Sequence, residues 1–166
     1  MGFAYSIKNQ HKQHFVTFTV HQWVDILIES LQFCQKEKGL KIYAWVIMSN
    51  HIHLIIQSDV INLSDIIRDF KKYTASQIIK SIENNTQESR KKWLLWLLKK
   101  ENNICFWEEG YHGEEIFTKE FYDIKRDYIH LNPVRAGIVE KEEDYIFSSA
   151  GDYYGIRKGL LDIEFE

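Results

Sequence analysis

Residues 41–57, KIYAWVIMSNHIHLIIQ, decide how this chain is read. Two apolar runs flank the turn pair Ser49-Asn50, which predicts a hairpin with strands over 41–48 and 51–57. Successive side chains of a strand point to opposite faces. Ile52, Leu54 and Ile56 therefore form one apolar face, and His51, His53, Ile55 and Gln57 form the other. Residues i and i+2 stand about 6.5–7 Å apart on the same side of a strand. The two imidazoles thus lie side by side, where isoleucine would be the cheaper choice. The structural alternative is a pair of half-exposed, hydrogen-bonded histidines.

Outward from the hairpin, FVTFTV at 15–20 reads as a strand with Val16, Phe18 and Val20 on one face. Residues 22–38 place Val24, Leu27, Ile28, Leu31 and Cys34 at helical spacing, and Gly39 follows as a stop. Leu63, Ile66, Ile67, Phe70 and Ile78 mark a helix over 63–82. A further helix is predicted over 86–102, with Thr86 or Ser89 as cap. NICFWEEG at 103–110 reads as a fourth strand. A last helix runs over 118–132, opened by Thr118 and closed by Pro133. The order β-α-β-β-α-(α)-β, then a helix, predicts an α+β fold. It is a ferredoxin-like split β-α-β antiparallel sheet with helices on one face and an added C-terminal helix. One domain over 1–166 is expected, with its core at about 13–155.

Apolar residues make up 45% and charged residues 27%, as in ordinary globular proteins. No run approaches the ~20 apolar residues that span a bilayer, and the start shows no secretory pattern. The expectation is a cytoplasmic protein without a membrane partner. Cys34 and Cys105 follow no metal or redox spacing and read as reduced, buried thiols. Net charge is −3, which argues mildly against a nucleic-acid binder. The charge is uneven. Residues 140–166 hold eight acids and three bases, whereas 63–100 hold nine bases and four acids. From charge alone that basic zone is a solvated helix face.

Two imidazoles at this spacing can hold a divalent cation, but two ligands rarely suffice. The predicted helix at 118–132 carries Phe117, Phe121, Ile124, Tyr128 and Leu131 on one stripe. Tyr128 and Asn132, four apart, lie one above the other. If the helix packs on the histidine face, it delivers a phenol and a carboxamide there. Otherwise Tyr128 is core and Asn132 a cap before Pro133. A phenol is a weak nucleophile at neutral pH and gains use beside a metal that polarises a phosphate. His51, His53 and Asn132 would be a neutral ligand set that an anionic substrate completes. Mg²⁺ and Mn²⁺ both suit it, with imidazole tilting the choice towards Mn²⁺.

NHIHLII, YIHLNPVRAGIV and DYIFSSA, in that order, resemble the HUH single-tyrosine transposases. These are the insertion-sequence enzymes and the REP-associated tyrosine transposases, and the resemblance spans about 13–155. It implies a ferredoxin-like core and site-specific nicking and joining of single-stranded DNA beside a hairpin. It implies that His51 and His53 form the metal-binding pair and that Tyr128 is the nucleophile, giving a 5′-phosphotyrosine and a free 3′-hydroxyl. Asn132 stands where several relatives have glutamine as the third ligand. The bond energy is kept in the covalent intermediate, so strand transfer needs no ATP.

Three alternatives stay open on the sequence. Tyr73, with Gln77 four residues on, is a rival nucleophile. The chain could be an inactive nucleic-acid-binding relative, or a zinc hydrolase using the His pair and water. Lys71, Lys72, Arg90, Lys91, Lys92 and Arg135 are the expected DNA contacts. Trp93 and Trp96 are available for base stacking, although burial in their own helix is the stronger expectation for Trp96. Monomer and homodimer are not separated, and neither is the DNA target.

Overall fold

The computed structural model describes residues 7–19, 23–100, 103–104, 106–107 and 112–166. In chain order the elements are β1 (His14–Thr19), α1 (Val24–Lys38), β2 (Leu40–Ile47), β3 (His51–Ser58) and α2 (Leu63–Asn84). Then come α3 (Lys91–Leu98), β4 (Lys99–Lys100), β5 (Asn103–Ile104), β6 (His112–Glu115), α4 (Lys119–Arg135) and α5 (Ala150–Tyr153). A 3₁₀ turn at Glu142–Asp144 precedes α5. The main sheet has the order β2-β3-β1-β6, with antiparallel neighbours throughout. That is the predicted α+β, ferredoxin-like arrangement.

The hairpin forms as its sequence dictates. Met48 N donates to His51 O at 2.8 Å across the turn. Ile52, Leu54 and Ile56 join Val16 in a core with Leu27, Leu31, Ile66, Phe70 and Ile78 of α1 and α2. Phe15 and Ile55 face the other way and pack with Tyr122 and Ile129 of α4. The sheet is therefore covered on both faces, with α1 and α2 on one and α4 on the other. In β2 the register slips between Ile42 and Ala44. This bulge turns Tyr43 and Ala44 both to the α4 side, and with both faces of the strand covered, 42–48 is apolar throughout rather than alternating.

The fourth strand is corrected. Residues 103–104 pair with 99–100 in a separate two-stranded ribbon. Phe106 and Trp107 then pack into the α2 core, where Trp107 Nε1 donates to Lys71 O at 3.0 Å and Thr74 Oγ1 at 3.1 Å. The sheet's fourth place goes to His-Gly-Glu-Glu at 112–115, an edge strand with no apolar signal to announce it. Residues 105 and 108–111 of the predicted strand, Cys105 included, lie outside the described residues. The helix predicted over 86–102 shortens to Lys91–Leu98. Before it, Asn85 and Glu88 accept backbone bonds from Gln87 and Arg90 in a turn.

In α4, Thr118 caps as expected, its hydroxyl accepting from Phe121 N at 3.2 Å. The helix does not stop at Pro133 but runs to Arg135, and Gly137 at φ 69° ends it. Proline in the last turn forfeits one backbone bond without breaking the helix. The packed stripe is also rotated from prediction. Tyr122, Ile129, His130 and Pro133 are buried, while Phe117, Ile124 and Tyr128 are exposed. Polar anchors, invisible to an apolar count, set that rotation. His130 Nε2 and Ser149 Oγ lie 2.8 Å apart, and Tyr122 and Tyr153 hydroxyls 2.6 Å.

Ser149 belongs to a segment that covers the free edge of β2. Ser149 N donates to Trp45 O at 3.0 Å, Ile47 N to Phe147 O at 2.9 Å, and Glu164 N to Ile42 O at 2.8 Å. DYIFSSA is thus the strap that fastens α4 to the sheet. Among the described residues no helix is long and apolar enough to cross a membrane.

Candidate active site

Strand β3 presents His51 and His53 on the face that α4 covers. Their ring centroids are 4.6 Å apart. Each imidazole is held through Nδ1. His51 Nδ1 donates to Asn50 Oδ1 at 2.5 Å, and His53 Nδ1 bonds Thr17 Oγ1 at 2.7 Å. Thr17 lies directly opposite His53 in the β1–β3 register. With Nδ1 engaged, Nε2 is the nitrogen left to each ring for a ligand. Such outer partners fix the tautomer and orientation of metal-binding histidines.

His53 is only 5% exposed and stacks on Phe15, with centroids 5.6 Å apart at 15°. Burial, then the neighbouring His51, then the Lys125 ammonium push its pKa down to about 3. The ring is neutral at physiological pH and keeps a lone pair on its unprotonated nitrogen.

Helix α4 delivers the other two groups. The Tyr128 ring lies 5.2 Å from the His53 ring, edge-on, and 6.0 Å from Phe15. Tyr128 is 40% exposed, so its phenol meets both the histidines and solvent. Asn132 Oδ1 lies 3.4 Å from His51 Nε2, and Asn132 Nδ2 reaches back to Tyr128 O at 3.5 Å. The Arg135 guanidinium sits 5.4 Å from the Tyr128 ring centroid. Four groups singled out in the sequence, plus Arg135, therefore meet at one place. Among the described residues there is no cluster of three His, Cys, Asp or Glu that could hold a metal. The two imidazoles and the Asn132 amide oxygen are a neutral donor set suited to one divalent cation.

The remaining expected contacts lie elsewhere. Lys71 and Lys72 are on α2, across the sheet from the histidines. Lys71 Nζ is 5.8 Å from the Trp107 ring, and its burial lowers its pKa to about 8. Arg90 pairs with Glu88 at 3.1 Å, just before Lys91 and Lys92. Tyr73 is 56% exposed on the same α2 layer, so the sheet separates it from the His pair of its own chain.

Sequence reasoning missed Thr17, Asn50, Phe15 and Lys125. Thr17 was findable, because Phe15, Thr17 and Thr19 are the alternates of the apolar triplet in β1. Lys125 carried no local signal. It pairs with Glu114 of β6 at 2.5 Å and lies 4.5 Å over the Phe15 ring, contacts that only the tertiary fold creates.

A family model described as "Transposase IS200 like" matches residues 6–132, a span that includes His51, His53, Tyr128 and Asn132. Five solved chains are similar in structure. One is described as "Structure of the REP associates tyrosine transposase bound to a REP hairpin". It is 17% identical with a TM-score of 0.70, over 100% of this chain and 94% of that one. At that identity the likeness speaks for the fold. No curated protein matches significantly.

Proposed function

Since the chain belongs to the IS200-like transposase family, an enzyme family acting on DNA, we propose that it nicks and rejoins single-stranded DNA through Tyr128. The reading adds hairpin-bearing DNA as substrate, on the strength of the hairpin bound by the structural neighbour. One observation carries it: α4 sets the Tyr128 ring 5.2 Å from His53 while Asn132 lies 3.4 Å from His51.

The Tyr128 phenol gives up its proton as its oxygen attacks the scissile phosphorus, the bond from phosphorus to the 3′-oxygen breaks, and that oxygen takes up a proton. DNA is left as a 5′-phosphotyrosine and a free 3′-hydroxyl. Bond count is conserved, so a 3′-hydroxyl can attack in turn and rejoin strands. Arg135, beside the ring, contributes positive charge where the phosphate would lie. His51, His53 and Asn132 would hold Mg²⁺ or Mn²⁺, supported by the Nδ1 bonds to Asn50 and Thr17. Held there, the ion would supply positive charge to neutralise the phosphate oxygens and the leaving oxygen. Phe15 and Ile55 close the floor of the site and keep water from beneath it.

The test is covalent capture. Labelled single-stranded DNA carrying a hairpin and its unpaired flanks is incubated with protein and Mg²⁺ or Mn²⁺, then run on a denaturing protein gel. A labelled protein band that needs metal and vanishes in Tyr128→Phe supports the reading. A band that survives Tyr128→Phe and vanishes in Tyr73→Phe overturns the choice of nucleophile. A zinc hydrolase would cleave with Tyr128→Phe unimpaired and give no band.

A further inference from the structure

Helix α3 shows two tryptophans to solvent. Trp93 is 54% and Trp96 72% exposed, against the expectation that Trp96 is buried. The helix instead packs through Leu94, Leu95 and Leu98 against the α1/α2 core. Lys92, Trp93, Trp96 and Leu97 form the outer stripe. Trp93 and Trp96 are three apart, neighbours on a helix surface. Neither indole has a ring partner among the described residues, and Lys91 and Lys92 have no ion pair there. No acid stands in the first turn of α3.

Exposed indoles are costly in water unless something covers them. Their surroundings select the occupant. Lys92, four residues before Trp96, shares the outer face with the indoles, and Lys91 stands at the start of the same short helix, so flat π-surfaces lie beside positive charge. This is the combination that holds unpaired bases by stacking and their phosphates by charge, without reading sequence.

The location fits a strand that also reaches the His pair. The first half of α2, through Ile66, Ile67 and Phe70, packs by Leu54 and Ile56. The helix therefore runs back along β3, and its last turn lies at the His51 end of the sheet. Residues 85–90 lead from there to Lys91.

We propose that Trp93 and Trp96, flanked by Lys91 and Lys92, form a stacking platform for the unpaired part of the DNA substrate, apart from the catalytic face. This rests on the reading of the chain as an enzyme of single-stranded DNA. The test is equilibrium binding of a hairpin-free, mixed-sequence DNA oligonucleotide of about twelve residues, within the span single-strand sites take. It uses the full chain and needs no cleavage.

Each of Trp93→Ala and Trp96→Ala should weaken binding at least about fivefold, and the pair roughly 30-fold. The double Phe variant should stay within a few-fold of the original protein, because a phenyl ring still stacks. Indole emission of the unaltered protein should be quenched as oligonucleotide is added. Unchanged affinity in the double Ala variant overturns the platform, and so does absent quenching should that variant fail to fold. Loss of a dimer in the Ala variant, with affinity unchanged, assigns the face to a second copy instead. The adduct assay separates the two readings. Trp-dependent binding without any Tyr128 adduct would sink the catalytic reading and leave the platform standing.

Discussion

Thr17→Val tests whether the histidine pair is a tuned site or two packed rings. The substitution keeps the β-branched shape on β1 and removes only the oxygen that lies 2.7 Å from His53 Nδ1. His53 is 5% exposed, so the freed Nδ1 has no water to turn to. Leaving a buried polar group without its partner costs about 1–3 kcal/mol. For a chain of this size each kcal/mol lowers the melting temperature by about 2–4 °C. A fall of several degrees is expected, and a purely structural histidine would give the same. The second readout separates them. With Nδ1 unheld, the ring can rotate or move its proton to Nε2, the nitrogen a metal needs. Loss of such an outer partner typically costs 10–100-fold in metal affinity or activity. The Mn²⁺ concentration for half-maximal adduct formation should therefore rise by one to two decades, and Thr17→Ser should restore it. A variant that melts lower but keeps the original metal midpoint would refute the reasoning and make Thr17 merely a packing residue.

Ser149→Ala removes the hydroxyl that accepts from Trp45 N and bonds His130 Nε2. About 1–3 kcal/mol of stability should be lost on denaturant titration, with little change in the slope. Gly39→Ala forces a Cβ into a residue at φ 67°, 3.2 Å from Val60 Cγ2. It should cost about 1–2 kcal/mol, read from the thermal midpoint, and no loss at all would argue against this helix end. Cys34 is buried, and that burial raises its pKa to about 11. Only about a thousandth would be thiolate at pH 8, so peptide mapping should find Cys34 unalkylated until the protein unfolds.

Fold and site were legible to different degrees for physical reasons. The hairpin at 41–57 could be read because a two-sided strand with polar residues on one face has an unambiguous period. The fourth strand could not. His112–Glu115 is held at the edge by β1 alone and has no apolar alternation, while the more strand-like 103–110 gives Phe106 and Trp107 to the helical core. Helix α3 misled for a related cause. Its run of leucines and tryptophans is apolar around the whole circumference, so no period could say which side faces inward. The structure turns Leu94, Leu95 and Leu98 in and leaves Leu97 and both indoles out.

The orientation of α4 shows why the candidate nucleophile was visible while its placement was not. An apolar count favours a stripe through Ile124 and Tyr128, which would bury the phenol. The buried stripe instead runs through Tyr122, Ile129 and Pro133. Adjacent helical residues differ by about 100°, so burying Ile129 swings Tyr128 to the border of the interface. There its ring meets His53 on one side and solvent on the other, where the proposed attack on an external phosphate would need it. Asn132, one turn on, falls on the same border beside His51. The rotation is held by polar partners that come from far along the chain, His130 on Ser149 and Tyr122 on Tyr153. YIHLNP and DYIFSSA therefore act as one device. The first carries Tyr128 and Asn132, the proposed reactive groups, and the second clamps the buried side of the helix so that they lie beside the strand histidines.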